Sequence, residues 1–137
     1  MSQANVDTVK ELYAAFERGD FVKVRETMHS EIEWYEAENF PYDDGNPYFG
    51  PDAVLDGVYA RLTGEWHAFA EELGNVFDAG DRIVTVGYYT GTYKPTGKSV
   101  RAQFVHVWTV RDATVTAFQQ YADTAQFREA ISSPAAG

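Results

Sequence analysis

One stretch of the sequence, residues 66–122, reads WHAFAEELGNVFDAGDRIVTVGYYTGTYKPTGKSVRAQFVHVWTVRDATVTAFQQYA. Its apolar segments alternate with polar residues at the period of a β-strand, and Gly-, Pro- and Asp-containing turn sequences separate them. The stretch therefore predicts a meander of four strands, and Gly74 would allow a bulge in the first. We place the strands at Trp66–Phe77, Arg82–Tyr93, Val100–Val110 and Val115–Ala122.

The residues before the meander predict three helices and one further strand. Apolar residues at helical spacing indicate a first helix that ends at Gly19, and Asp20 can cap a shorter second helix. Gly50-Pro51 opens a third helix that ends at Gly64. The remaining patterns are the alternation Ile32, Trp34, Glu36 of a strand, an aromatic-containing loop Asn39–Tyr48, and a closing helical turn Thr124–Ile131 capped by Asp123.

Helices followed by a run of strands are typical of an α+β fold with an antiparallel sheet. We predict one domain over residues 1–131, with residues 132–137 as a disordered tail. A long, bent antiparallel or mixed sheet with three helices packed on one face would form a cone. Such a cone would enclose a largely apolar pocket for a small organic molecule.

Charge and composition exclude several classes of function. A net charge of −10 disfavours binding to nucleic acid and to anionic membranes, because both need a basic face. The absence of cysteine excludes disulfides and thiolate chemistry. The sequence shows neither a signal peptide nor an apolar run long enough to span a membrane, so we expect a cytoplasmic protein.

Glu36 is the first candidate catalytic residue. It shares a strand face with Ile32 and Trp34, so a carboxylate would stand at the end of a hydrophobic wall. Desolvation would raise its pKa toward the range that is useful for proton transfer. The alternative is a solvated glutamate at a strand end.

His106 is the second candidate, because it lies between Phe104 and Trp108 on one strand face. A neutral imidazole there could hydrogen-bond a substrate carbonyl, although a half-buried structural histidine is an equal alternative. A two-residue turn at Asp112-Ala113 would pair His106 with Gln119, whereas a bulge would pair it with Gln120. Either glutamine could therefore face the pocket.

The sequence offers no motif for a metal or a cofactor. His29, His67 and His106 lie on three different elements, without the spacing of a zinc motif, and there is no Gly-rich phosphate loop. We therefore expect neither metal nor cofactor. The candidate ligand-binding residues, mostly aromatic, are Tyr13, Phe16, Trp34, Phe40, Tyr48, Phe69, Tyr88, Phe104, Trp108, Gln119, Gln120 and Tyr121.

Several segments together resemble the SnoaL-like branch of the nuclear transport factor 2-like superfamily, across about residues 5–131. They are Phe16-Glu17-Arg18-Gly19-Asp20, Trp34, Tyr48-Phe49-Gly50-Pro51, Gly80-Asp81-Arg82-Ile83-Val84, Gly87-Tyr88-Tyr89-Thr90-Gly91, His106-Val107-Trp108-Thr109-Val110-Arg111-Asp112 and Gln120-Tyr121-Ala122-Asp123-Thr124. The resemblance implies a cystatin-like cone and a homodimer. It does not select an activity, because this fold hosts isomerases, cyclases, dehydratases, epoxide hydrolases and non-catalytic proteins.

Carried over residue by residue, the resemblance places Glu36 at the general-base position of the steroid isomerases. Their oxyanion-hole tyrosine falls on Leu12, with Tyr13 one position away and expected to face elsewhere. Polyketide cyclases of the branch use a histidine and an aspartate, which points to His106 and, near Gln120, to Asp123. We therefore name Glu36, His106 and Asp123 as candidate catalytic residues.

Two hypotheses of different classes follow. The first is a cofactor-independent isomerase, cyclase or lyase that acts on a small hydrophobic carbonyl compound, with Glu36 moving the proton. In it His106, a glutamine and Tyr88 would stabilise the oxyanion. The second is a non-catalytic protein that binds a hydrophobic ligand or pairs with itself through the outer sheet face.

Overall fold

The computed structural model describes residues 2–132, in which a six-stranded mixed sheet curves around helices. The strands are β1 (Met28–Tyr35), β2 (Tyr48–Phe49), β3 (Trp66–Ala79), β4 (Arg82–Tyr93), β5 (Ser99–Arg111) and β6 (Thr114–Ala122). Their order across the sheet is β2-β1-β6-β5-β4-β3. Strands β3 to β6 form the predicted antiparallel meander, and β1 joins β6 in parallel. The predicted α+β fold is confirmed.

The helices are α1 (Gln3–Glu17), α2 (Phe21–Glu26), α3 (Gly50–Val54), α4 (Ala60–Glu65) and α5 (Thr124–Ile131). A π-helical segment, Leu55–Tyr59, connects α3 to α4 without a break, so the predicted third helix exists but is not a regular α-helix. As predicted, the Asp20 carboxylate caps α2 by accepting a hydrogen bond from the Lys23 N–H at 3.0 Å.

The core lies between the concave face of the sheet and the helices. Helix α1 buries residues at helical spacing, and the sheet contributes the alternate residues of β4, β5 and β6 that face it. No helix among residues 2–132 is long and apolar enough to cross a membrane. The predicted disordered tail lies outside the described residues, except for Ser132.

Two irregularities in β3 bend the sheet where it covers the interior. The register of β3 on β4 shifts between His67 and Ala70, and again between Leu73 and Val76. The second shift flanks Gly74, where the sequence allowed a bulge. Because a bulge increases local twist, β3 should twist most strongly at these two sites.

A third bulge decides which side chains of β6 face the interior. Asp112 and Ala113 form a tight two-residue turn, both with positive φ, which pairs Arg111 with Thr114. The register then slips by one residue between Thr109 and Val110. His106 consequently pairs with Gln120 and not with Gln119, so the bulged alternative is the one that the structure adopts.

Candidate functional site

A small cavity of about 20 Å³ lies at the concave face, between the sheet and the helices. It has room for about one water molecule. Its lining combines aromatic rings with two carboxyl groups and an imidazole: Trp34, Glu36, Val58, Tyr59, Leu62, Glu71, Tyr89, His106, Trp108 and Phe118. None of these lining residues is a lysine or an arginine.

Glu36 immediately follows the last residue of β1, and its side chain lies on the same inward face as that of Trp34. Only 3% of the residue is exposed. Its Oε2 accepts a hydrogen bond from the Trp34 indole N–H at 3.0 Å, whereas its Oε1 is buried with no partner among residues 2–132. Asn46 holds the backbone here, since its side chain bonds both the N–H and the C=O of Glu36 at 2.8 Å.

Burial raises the pKa of Glu36 to about 8, an effect that the Trp34 hydrogen bond partly offsets. The alternative of a solvated glutamate at the end of a strand is therefore wrong for Glu36. A carboxylate with such a pKa is a stronger base than one in water, and its free Oε1 faces the cavity region.

Glu71, on β3, is a second carboxyl group of the cavity, and sequence reasoning missed it. The residue is half-buried as a whole, but its Oε1 is sealed from solvent and has no hydrogen-bond partner among the described residues. Desolvation raises its pKa to about 8 as well. Glu71 lies directly opposite Tyr89 of β4 in the ladder, so both side chains face the interior.

His106 is 1% exposed and its two ring nitrogens have tyrosine partners. The Tyr13 hydroxyl lies 2.5 Å from Nδ1, and the Tyr89 hydroxyl is hydrogen-bonded to Nε2. Burial lowers the pKa of His106 well below its usual value, so the ring is neutral at neutral pH. It also stacks on Phe104, with ring centroids 4.0 Å apart. His106 therefore orients two hydroxyls rather than offering a free nitrogen.

Tyr13 takes part in this network, contrary to the expectation that it faces elsewhere. Its hydroxyl is 2.5 Å from the Thr85 hydroxyl and accepts a hydrogen bond from the Trp108 indole N–H at 3.2 Å. Leu12 and Tyr13 are both buried, because the apolar face of α1 is wide enough to hold two successive residues. A tyrosine from α1 thus reaches the interior one position later than the resemblance implied.

Gln120 closes the network on the β6 side. Its Nε2 donates a hydrogen bond to the Tyr89 hydroxyl at 2.9 Å, and its Oε1 accepts one from the Ala37 N–H at 2.9 Å. Gln119 points to the other face of the sheet and is half-buried.

Replacing Gln120 by alanine should destabilise the protein by about 2 kcal/mol, since a buried N–H and a buried hydroxyl lose a partner. Gln119→Ala should change the free energy of unfolding by less than about 0.5 kcal/mol. Urea unfolding of both variants measures the difference. Equal losses would contradict the register on which the site depends.

Apart from Gln120 and Tyr88, the predicted ligand-binding residues separate into four groups. Trp34 and Trp108 line the cavity, while Tyr13, Phe16 and Phe69 line a neighbouring cleft. Gln119 and Tyr121 line a depression on the outside of the sheet. Three others are core residues that line neither cavity nor cleft: Phe40, Tyr48 and Phe104.

Several predicted positions are corrected by the structure. Tyr88 faces away from the cavity and stacks under the Arg101 guanidinium, because Tyr89 takes the inward position in the strand alternation. Tyr121 is 56% exposed for the same reason, one residue beyond Gln120. Asp123 is exposed and caps α5 through the Gln126 N–H, so its placement does not support a catalytic role.

Sequence reasoning also missed Tyr59, Tyr89 and Phe118 as cavity residues. A signal for Glu71 was present, because Phe69 and Glu71 alternate on one face of a strand that ends in a turn. For Tyr89, the sequence pattern could not decide which of the adjacent residues Tyr88 and Tyr89 faces the interior.

A cleft of about 520 Å³ opens between α1 and β3 beside the cavity. It is lined by Lys10, Tyr13, Ala14, Phe16, Glu17, Phe69, Ala70, Glu71, Glu72 and Leu73. Its size is that of a pocket for a small organic ligand. Glu71 belongs to both the cleft and the cavity, so it stands at the boundary between them.

Within residues 2–132, no three histidine, aspartate or glutamate side chains are grouped as metal ligands would be.

Comparison with known proteins identifies the family. The model of the SnoaL-like domain matches residues 9–118. An NTF2-like protein of Burkholderia thailandensis is 34% identical, with a TM-score of 0.87 over 92% of this chain and 95% of that one. A candidate SnoaL-like polyketide cyclase of Jannaschia sp. is 23% identical, with a TM-score of 0.82 over 96% and 93% of the two chains. No curated protein matches the chain.

A more distant structure has the same fold. It is a protein of Catenulispora acidiphila with a ketosteroid isomerase-like fold, bound to trimethylamine. It is 16% identical, with a TM-score of 0.70 over 83% of each chain.

Proposed function

Since the chain belongs to the SnoaL-like domain family, we propose that it is a cofactor-independent enzyme that moves a proton on a small hydrophobic carbonyl compound. The reaction class is isomerisation, cyclisation or elimination. The observation that carries the proposal is Glu36, a buried carboxyl group with one unpaired oxygen at an aromatic cavity. Fold likeness alone would not select an activity.

Glu36 acts as the general base. Its Oε1 takes a proton from the carbon next to the carbonyl group, while the Trp34 N–H keeps Oε2 in place. The protonated Glu36 then returns the proton to the same or another carbon. Because its pKa is about 8, kcat/KM should rise with pH up to about 8 and then level off.

Tyr89 stabilises the oxygen on which negative charge develops. In the His106 tautomer that carries its proton on Nε2, the Tyr89 oxygen accepts hydrogen bonds from both His106 and Gln120. Its own O–H is then available to the substrate. This assignment gives Tyr89 the role that the sequence suggested for Tyr88, and it makes His106 a positioning residue.

The cleft between α1 and β3 provides the substrate's place of entry. The central cavity is too small for an organic molecule, so the body of the substrate lies in the cleft. The reacting end of the substrate approaches Glu36 by displacing aromatic side chains that line the cavity. The aromatic residues that line the cleft are Tyr13, Phe16 and Phe69.

Glu36→Gln should lower kcat by a factor of about 100 to 10,000, because the amide cannot accept the proton. The substrate is sought among small carbonyl compounds that raise the melting temperature of the wild type. Glu33→Gln is the matched control, since Glu33 lies on the same strand and is exposed. Full turnover by Glu36→Gln would refute the general-base role.

A non-catalytic binding protein is the second candidate, and the small volume of the central cavity favours it. In that case compounds would bind in the cleft and remain unchanged, and Glu36→Gln would bind them as the wild type does. The homodimer stays a prediction in both cases. Val84, Val86, Val105 and Val107 would supply its apolar contacts on the outer sheet face.

A further inference from the structure

Two buried carboxyl oxygens at the small cavity have no hydrogen-bond partner among residues 2–132. They are Oε1 of Glu36 and Oε1 of Glu71, and both residues line the cavity. Glu36 is only 3% exposed as a whole. Because a buried polar atom without a hydrogen bond costs stability, a bound group that donates hydrogen bonds to both oxygens would stabilise the protein.

The charges around the cavity favour a cation as that group. After burial, the charge of Glu71 is a further cause that raises the pKa of Glu36, so the two carboxylates repel each other within the site. The lining contains no lysine or arginine side chain that could offset this repulsion. The chain carries a net charge of −10, which attracts cations from solution. A positive charge beside both carboxylates would stabilise them in their ionised forms.

Aromatic rings form most of the remaining lining of the cavity. The Trp34 ring centroid lies 5.7 Å from that of Tyr59 and 5.8 Å from that of Trp108, so these three rings are in contact. Tyr89 and Phe118 complete the aromatic part of the lining. The faces of aromatic rings attract cations, and tryptophan does so most strongly. The lining therefore suits a cation that also has an apolar surface.

The size of the cavity selects the kind of cation. Its volume of about 20 Å³ has room for about one water molecule. A primary ammonium group is similar in size to water and has three N–H donors, as in lysine, so two of them can serve the two unpartnered oxygens. A trimethylammonium group is much larger and has no N–H donor. The primary ammonium group thus matches both the volume and the free acceptors.

The cleft between α1 and β3 provides space for the organic part of such a ligand. Glu71 lines both the cavity and the cleft, whose volume is about 520 Å³. A ligand whose ammonium group lies beside Glu71 can therefore extend into the cleft. The rings of Tyr13, Phe16 and Phe69 line the cleft and favour an aromatic body of the ligand.

We propose that the site binds a small aromatic compound with a primary ammonium group: the ammonium group lies in the cavity and donates hydrogen bonds to Glu36 and Glu71, and the aromatic body lies in the cleft. The inference goes beyond the proposed function, because this binding needs no proton transfer to or from carbon. A bound amine would occupy the free oxygen of Glu36. Amines should therefore inhibit turnover of a carbonyl substrate competitively.

Binding of the amine should release protons from the two carboxyl groups. Both have a pKa of about 8, so both are largely protonated at pH 7 in the free protein. Burial keeps the phenols and the imidazole around them neutral between pH 6 and pH 8: Tyr13 from α1, Tyr59 from the π-helical segment, Tyr89 from β4 and His106 from β5. The released protons therefore come from Glu36 and Glu71.

The charged groups near the two carboxyl groups lie outside the cavity lining. Arg61 and Asp43 act weakly on the pKa of Glu36, and Arg61 is paired with Asp44. At the cleft, α1 contributes the exposed and oppositely charged Lys10 and Glu17, while Glu72 of β3 is paired with Arg101. The ammonium group would thus meet two carboxylates that no cation of the lining neutralises.

Calorimetric titration of the intact wild type with 2-phenylethylamine tests the proposal without a substrate. The Kd should fall by at least about tenfold between pH 6 and pH 8, and about one to two protons should be released per amine bound at pH 7. At pH 8, 2-phenylethanol and the trimethylammonium analogue of the amine should bind at least about tenfold more weakly, since the first lacks the charge and the second the N–H donors. No binding of the amine at millimolar concentration, equal affinity for the three compounds, or binding without proton release would overturn the proposal.

Two variants locate the bound amine. Glu71→Gln and Glu36→Gln should each raise its Kd at pH 8 by at least about tenfold, because each removes one charged acceptor. Glu33→Gln is the matched control, since it removes the same charge from an exposed position and should bind as the wild type does. Circular dichroism confirms that the variants fold. Unchanged affinity in Glu71→Gln, or an equal loss in Glu33→Gln, would contradict the placement of the ammonium group.

The outcomes separate this inference from the proposed function. If the amine binds as described but Glu36→Gln retains turnover, only the proposed function fails. If Glu36→Gln loses turnover but the amine does not bind to the wild type, only this inference fails.

Discussion

The free energy of unfolding should fall as the pH rises from about 5 to about 9, because two buried carboxyl groups lose protons in the folded protein. Glu36 and Glu71 have folded-state pKa values of about 8 against an ordinary value of 4.5. Between these pH values the folded state binds more protons than the unfolded state. The contribution of these two groups to the free energy of unfolding is therefore complete below about pH 4.5 and is lost as the pH rises to about 8. The loss is of the order of 4 kcal/mol for one such carboxyl.

Glu36→Gln and Glu71→Gln should each flatten this dependence and raise stability at pH 9 by several kcal/mol. The glutamine at position 36 can still accept the Trp34 N–H, so the packing is kept. Urea unfolding at pH 5, 7 and 9 measures the effect, with Glu33→Gln as the exposed control. Parallel curves for the wild type and both variants would show that the carboxyl groups are not buried as described.

His106 contributes the opposite slope at acid pH. Its pKa is lowered by burial, so below about 6.5 the unfolded chain binds a proton that the folded protein does not. This contribution to stability is therefore present above about pH 6.5 and decreases as the pH falls. The two effects together limit the most stable range to mildly acid pH.

Gly87→Ala should destabilise the protein by about 3 kcal/mol or more. Gly87 faces the interior on β4, and a Cβ atom there would lie 2.2 Å from the backbone oxygen of Glu72 and 2.8 Å from the Phe104 ring. The oxygen belongs to the neighbouring strand, so relief of the clash would require β3 and β4 to separate. This strain adds to the usual cost of overpacking a core.

Thermal unfolding compares Gly87→Ala with Gly64→Ala, the matched control. Gly64 lies in α4, and a Cβ atom there meets nothing within 4 Å. Because alanine is the better helix former, Gly64→Ala should be neutral or stabilise the protein by up to about 1 kcal/mol. A similar melting temperature for Gly87→Ala and the wild type would contradict the strand contact.

The strands and helices could largely be predicted from the sequence. Alternation in residues 66–122 placed the four meander strands within two residues of their observed ends, and apolar spacing placed α1. The short strand β2 and the π-helical segment were missed. Two residues are too few for a periodic pattern, and a π-helical turn leaves the apolar spacing close to that of an α-helix.

The candidate site was predicted only in part. Glu36 and His106 were found because each lies on a strand face with large apolar residues, a pattern that burial makes. Asp123 was misplaced because an aspartate before a short helix can equally cap it, as it does here. Glu71 was overlooked, although it alternates with Phe69.

The sequence by itself determined which segments form strands and helices, since these depend on spacing between residues that are close along the chain. Only the tertiary structure decided which of Tyr88 and Tyr89, and of Gln119 and Gln120, face the interior. Side chains alternate with a period of two, so a single bulged residue near Thr109 reverses the face of β6, and no local pattern records that bulge. The presence of Glu36 and Glu71 at one cavity was likewise decided by the tertiary structure, because the two residues are distant in sequence.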